Sequence, residues 1–373
     1  RDKTALLDRV VAESGFLDCL EQRFQAGGKD RKDFLVAVKP NYMFLHNRKD
    51  VSTYTDPALV ERLVDHIRGR GFTNVIIVEA RNTYCEFFDR RDPVSTARYL
   101  GLETGPRYRV VDLSLDLVEH EFGPPLHRAP VNREWRDADF RVSFAKNKTH
   151  AYAYYTLNLK NFFGALPLQN KFKEYHCREE LGIYEPAIEF VAQFPVHFGF
   201  IDAYYSADGP FGVYADKTPV PTRTIMAGPD IVAVDWVAAS RMGINPLFSK
   251  YMQSAVERFG KPRIDLRGDR EIYESWRNVP IQMIWATSAL DRHYRFGFLF
   301  YAVFAQQDPE AFPPRDQAWY IRVLRVLTKP IRDQFFKRGA VDPDQMRQIR
   351  ELIDELGVYL PHRPLESGRP EVP

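Results

Sequence analysis

Four short apolar runs, each with little polar alternation and most separated by a helical segment, constrain the fold more than any other feature. They are Phe34 to Val38, Asn74 to Val78, Tyr108 to Val111 and Ala138 to Ala145. A strand with one wet face alternates apolar and polar residues, whereas a strand covered on both faces does not. Between the first two, Thr55-Asp56-Pro57 supplies a cap and a first-turn proline for a helix to about Arg70, closed by Gly69 and Gly71. A second helix is predicted over 93–101. Before the first run, apolar residues recur at helical spacing over 4–26, and Gly27-Gly28 ends that helix. The order βαβαβ predicts an α/β fold, a mostly parallel sheet with helices on both faces. Val196 to Ile201 and Thr222 to Ala227 read as further strands, and Ile231 to Met242 as a helix behind Gly228-Pro229-Asp230.

A parallel sheet gathers its strand exits along one edge, and ligands bind in the crevice there. The residues at successive exits are Lys39 with Asn41, Glu79, Asp112, Lys146 with Lys148, and Asp202. The fourth exit is the run Lys146-Asn147-Lys148-Thr149-His150, and Tyr154 to Phe163, read as a helix, follows it with Lys160 and Asn161. If the run stays extended, positions 146, 148 and 150 project to one side. Cations gathered where helix N–H groups also point would bind an anion.

Composition narrows the classes. A net charge of +2 makes any basic site local and argues against a nucleic-acid partner, which calls for a broad basic surface. Cys19, Cys85 and Cys177 are too few and too scattered for a cysteine-only iron–sulfur cluster or a disulfide scaffold, so a reducing cytoplasm is the expected compartment. The opening residues carry no signal-peptide pattern. The longest apolar run, Phe296 to Ala305, is too short to span a bilayer of about 30 Å, so no transmembrane segment is expected. GxGxxG after the first strand, GxxxxGK[ST] and GxSxG are absent, and no cofactor is named by the sequence.

Several blocks together resemble the uncharacterised family catalogued as domain of unknown function 362 (DUF362), over about residues 33–250. They are Val38-Lys39-Pro40-Asn41, Val78-Glu79, Lys146 to His150, Thr156 to Gly164, Ile201-Asp202 with Asp208-Gly209-Pro210, and Ala227 to Asp235 with Met242-Gly243. The resemblance implies an α/β domain with a site built from these blocks. It supplies no reaction.

Chemistry must come from the residues. Lys39, Asn41, Lys146, Lys160, Asn161 and Asp202 are the candidate substrate-binding groups, with the lysines holding a small anionic metabolite that carries carboxylate or phosphate. His150, Lys148 and Glu79 are the candidate catalytic groups: His150 or Glu79 as general acid/base, and a lysine, depressed by its neighbours, as base or Schiff-base nucleophile. Proton abstraction, isomerisation or lyase chemistry fits these parts. Two alternatives stay open. One is a metal-dependent enzyme using His150, His176, Glu79, Asp202 and Asp208, and the other is a non-catalytic anion-binding protein.

The α/β domain is expected over 1–270. Residues 271–373 read as an Arg-rich helical extension, including a helix from Val341 to Leu356 and a Pro-rich tail from Pro361 to Pro373. Those helices are a candidate oligomer interface.

Overall fold

The computed structural model describes residues 2–330, apart from 44, 46, 47, 179, 210–219, 275, 292, 294–298, 300, 301, 304–307, 316 and 317. The expected helix at 341–356 and the Pro-rich tail lie outside the described residues.

The chain opens with α1 (Lys3–Glu13) and α2 (Phe16–Gly27). One continuous helix was expected there. Gly15 breaks it at φ +77°, a left-handed conformation that costs glycine no Cβ clash. There follow β1 (Val36–Pro40), α3 (Pro57–Gly69), β2 (Val75–Glu79), α4 (Tyr84–Phe87), α5 (Pro93–Leu100) and β3 (Arg109–Asp112). As the sequence predicts, Asp56 caps α3 by accepting the Ala58 N–H at 2.9 Å. A hairpin of β4 (Leu117–Glu121) and β5 (Arg128–Asn132), with the short α6 (Arg133–Asp137), fills a stretch for which no element was predicted.

The next segment departs most from expectation. The strand predicted to end at Ala145 runs on as β6 (Phe140–His150), buried along its whole length. The basic run is therefore strand, not the junction beyond it. Tyr154 to Phe163 is likewise not one helix: β7 (Tyr154–Thr156) turns back on β6, then come α7 (Asn158–Asn161) and a 3-10 turn, Phe162–Ala165. The turn at Ala151 to Ala153 and a φ of +64° at Tyr154 reverse the chain, so pairing with β6 overrides helical propensity. The remaining elements are α8 (Glu185–Gln193), β8 (Phe198–Ala207), β9 (Thr224–Gly228), α9 (Ile231–Arg241), α10 (Lys250–Phe259), α11 (Ile281–Asp291) and α12 (Trp319–Leu327).

The main sheet has the order β3-β2-β1-β6-β8-β9, with β7 paired to β6. The pairings β2–β3, β1–β2, β1–β6 and β6–β8 are parallel, and β9 and β7 run antiparallel to their neighbours. This is an α/β fold with a mostly parallel sheet. Along β1 and β2 the side chains alternate between two cores, as a doubly covered strand requires. Val36, Val38, Val75 and Ile77 join residues of α1, α2, α3 and α5 on one face. Ala37, Ile76 and Val78 join residues of α6 to α10 on the other.

The chain beyond 270 packs back onto these layers. Tyr273 and Trp276 are buried with Ala238 and Met242 of the α9 region. Phe312 and Ile321 join the first core, and Pro314 bridges to Phe88. No described helix is long and apolar enough to cross a membrane.

Strand order reverses between β1 and β6, since β2 leaves to one side and β8 to the other. Such a switch point opens a crevice at the carboxyl ends of the two strands. Here those ends carry Lys39 with Asn41, and Lys148 with His150.

Candidate functional site

A cavity of about 80 Å³ lies at this switch point. By the same measure a bound water needs about 10–15 Å³, so the space suits a few waters or one small molecule. Lys39 and Asn41 reach it from the end of β1, Glu79 from β2, Lys148 and His150 from β6, Thr156 from β7, and Lys160 and Asn161 from α7. The structure thus brings together seven of the nine site residues expected from sequence.

The other two go elsewhere. Lys146 and Asp202 face each other in the β6–β8 register and form a buried ion pair at 2.8 Å. Asp202 also accepts the Asp56 N–H at 2.9 Å, tying the sheet to the start of α3. The register between β6 and β8 shifts between Lys146 and Lys148. Such an irregularity re-aims side chains, so simple alternation from 146 to 150 does not hold.

Lys39 and Glu79 form a second buried pair, Nζ to Oε1 2.6 Å. Burial pushes the Glu79 carboxyl up and the Lys39 ammonium down, while their mutual attraction opposes both shifts. Asn161 is the hub beside them. Its Oδ1 accepts from Lys39 Nζ at 3.2 Å and from Asn41 Nδ2 at 3.3 Å, and its Nδ2 donates to the Lys39 carbonyl at 3.0 Å. Gly164 closes this wall. A Cβ there would lie 2.7 Å from Glu79 Oε1 and 3.0 Å from Lys39 Nζ, so no larger residue fits without moving the pair.

Lys148 is buried and donates from Nζ to the Thr53 carbonyl at 2.8 Å. Burial first, then the charges of Lys160 and Lys146, pushes its ammonium down to about 7. Burial, Lys160 and Lys148 hold the His150 imidazolium well below its ordinary range, so the ring is neutral at pH 7. Its Nδ1 accepts a long hydrogen bond from the Tyr152 N–H at 3.5 Å. The Lys160 ammonium is 5.5 Å from the Tyr152 ring centroid and 5.7 Å from that of Phe163, a setting that favours the cation.

These shifts predict a pH dependence of stability. Between pH 7 and 10.5 the unfolded chain keeps a proton on Lys148 that the folded chain has lost. Stability therefore rises with pH across that window. Lys148→Met is expected to flatten the rise between pH 7 and 9, and to stabilise the protein at pH 7 by about 1–3 kcal/mol, because it removes a buried charge. Urea unfolding at both pH values measures this; equal slopes in the two proteins would refute it.

Among the other lining residues Lys171 was missed, and His176 was named from sequence only as a possible metal ligand. Lys171 and His176 fall in the charged run 171–180, which reads as a solvated loop, yet both are buried against the cavity. Lys171 donates to the Leu166 carbonyl, and burial pushes it down to about 7. Nothing in the local pattern separates these two from exposed neighbours such as Lys173. Tyr152 lies edge-on between the His150 and His176 rings, with centroids at 4.4 and 5.4 Å. Asp235, in the family-like block Ala227 to Asp235, caps α7 by accepting the Asn158 N–H at 2.8 Å and the Leu159 N–H at 2.7 Å.

Of the proposed metal ligands, Asp202 is bound to Lys146 and Asp208 pairs with Arg277 at 3.3 Å. Among the described residues no group of three or more His, Cys, Asp or Glu side chains is placed to hold a metal ion.

Solved structures are similar to the chain, two among them as follows. One is the lactate racemase apoprotein from Thermoanaerobacterium thermosaccharolyticum, with 15% identity over 61% of this chain and 52% of that one, and a TM-score of 0.34. The other is a protein from Thermotoga maritima, with 12% identity over 56% and 53%, and a TM-score of 0.31. The chain thus spans about half the length of each. No curated protein matches the sequence. A family model described as Domain of unknown function (DUF362) matches residues 36–240, more than half of the 373 residues and the stretch from β1 to α9 that builds the cavity. The chain belongs to the DUF362 family.

Proposed function

We propose that the cavity binds a small metabolite carrying a carboxylate or phosphate and performs acid/base chemistry on it, of proton-abstraction, isomerase or lyase type. The observation that carries this reading is the convergence of Lys39, Lys148, Lys160 and Lys171 on one small space, in which Glu79 is already paired with Lys39. The surplus of positive charge is matched by an anion. Lys160, with Asn41 and the Asn161 hub, holds it. The Lys148 amine, pushed down to about 7, accepts and returns a proton, the task of a group that titrates near working pH, with the neutral His150 ring beside it as a relay.

Calorimetric titration with oxalate, and separately with inorganic phosphate, tests the binding half. Lys160→Gln is expected to weaken the anion that binds by about ten- to a hundredfold, the worth of one charge-assisted hydrogen bond. Absence of binding by either anion would remove the basis of the reading. The catalytic half is read by proton NMR in deuterated water, as exchange of the C–H next to the carboxylate of a bound acid. His150→Ala abolishes exchange and leaves affinity within about twofold if the site is catalytic. A protein that binds without any exchange is an anion carrier.

A further inference from the structure

Thr156 is 2% exposed and faces the cavity, and among the described residues its hydroxyl has no hydrogen-bond partner. A buried polar group left so costs about 1–3 kcal/mol, which a ligand able to bond it would recover. In the β6–β7 pairing Thr156 lies directly opposite Lys148. Both side chains therefore leave the sheet on one face, with Cβ atoms about 5 Å apart. His150, two residues further along β6, lines the same cavity, and Lys160 enters from α7.

We propose that Lys148 captures a small 2-oxo acid as a covalent imine, with Lys160 holding its carboxylate and the Thr156 hydroxyl bonding the oxygen that departs. The proposal rests on the anion-binding reading and names its substrate class. The small volume selects an acid whose carbonyl adjoins its carboxylate. Among the lysines, Lys39 is tied to Glu79 and Lys160 lies over aromatic rings; Lys171, like Lys148, donates to a backbone carbonyl, but it is Lys148 that lies opposite Thr156 in register. Lys148 donates to a neutral carbonyl, in a buried site beside other cations, the setting that keeps a lysine amine nucleophilic.

In the step itself, the neutral amine attacks the carbonyl carbon. An N–C bond forms as the C=O π bond breaks, and one amine proton passes to the oxygen, a transfer the adjacent neutral His150 ring can relay. The carbinolamine then expels that oxygen as water, with one proton taken up from solvent, and a protonated C=N bond remains. No oxidant or reductant takes part.

Wild-type protein is incubated with pyruvate, reduced with sodium borohydride and mapped by peptide mass spectrometry. The expected result is one reduced adduct per chain on Lys148, more than about tenfold above any exposed lysine, since a surface ammonium near 10.4 supplies far less free amine. Lys148→Arg puts a guanidinium in place of the amine and cannot form the imine, so it should lose the adduct. Wild-type mapping decides alone if that variant does not fold. No adduct, an adduct on Lys171, or label spread over exposed lysines overturns the proposal. Oxalate binding without an adduct sinks the imine alone, whereas failure of oxalate, phosphate and pyruvate together sinks the anion pocket as well.

Discussion

Asp235→Ala is expected to cost about 3–5 kcal/mol of folding stability, the range for leaving buried groups without a charged partner. Asp235 is completely buried and accepts the backbone N–H groups of Asn158 and Leu159 and the Asn158 side-chain amide, at 2.7–2.9 Å. Those are the first donors of α7, a four-residue helix that could not persist alone. Burial pushes the Asp235 carboxyl up to about 7, and the three donors oppose that shift. Because α7 carries Lys160 and Asn161, loss of the cap should loosen the anion site together with the core. Urea unfolding gives the stability and oxalate titration the site. Asp235→Asn retains one acceptor oxygen and should lose clearly less. An alanine variant within about 1 kcal/mol of wild type would show that α7 is held by packing rather than by this carboxylate.

The Lys39–Glu79 pair, buried on both sides, should show strong coupling. Lys39→Met or Glu79→Leu alone is expected to cost about 3–5 kcal/mol, because each leaves one buried charge without its counter-ion. The double variant removes both charges, and it should lie within about 2 kcal/mol of wild type. The four proteins form a double-mutant cycle by urea unfolding, and additive losses would exclude the coupling. Function should follow another course. The double variant removes a cation and a carboxylate together, so the net charge of the cavity is unchanged, but it leaves the Asn161 Oδ1 without its lysine and the anion-holding amide misplaced, so anion affinity falls even where stability is restored. That separation would mark the pair as kept for the site rather than for the fold.

How much of this was legible in the sequence can be judged residue by residue. Strands β1 and β2 were readable because burial on both faces leaves an unbroken apolar run. Helix α3 was readable because its cap and first-turn proline act locally. The gathering of Lys39, Glu79 and Lys148 at one edge followed from parallel order alone, since parallel strands end together. The β6–β7 turn was hidden, because Tyr154 to Phe163 satisfies a helical pattern that only pairing with Lys148 to His150 defeats. Lys171 was hidden for a related reason, and His176, named only as a possible metal ligand, could not be placed at the cavity: a charged run looks the same whether its side chains meet water or a cavity.

The amino-acid sequence by itself determined the α/β class, the strand edge where chemistry collects and the family blocks that furnish it, because periodicity, capping and strand burial are local consequences of residue type. Tertiary structure alone decided which cations face the cavity and which are consumed in structure. Lys146 and Lys148 are two residues apart on one strand, yet Lys146 meets Asp202 in register and Lys148 opposes Thr156 across the sheet. Whether a buried lysine is a strut or a reactive group depends on the partner brought to it from elsewhere in the chain, and that partner is set by register and packing rather than by its own neighbours in sequence.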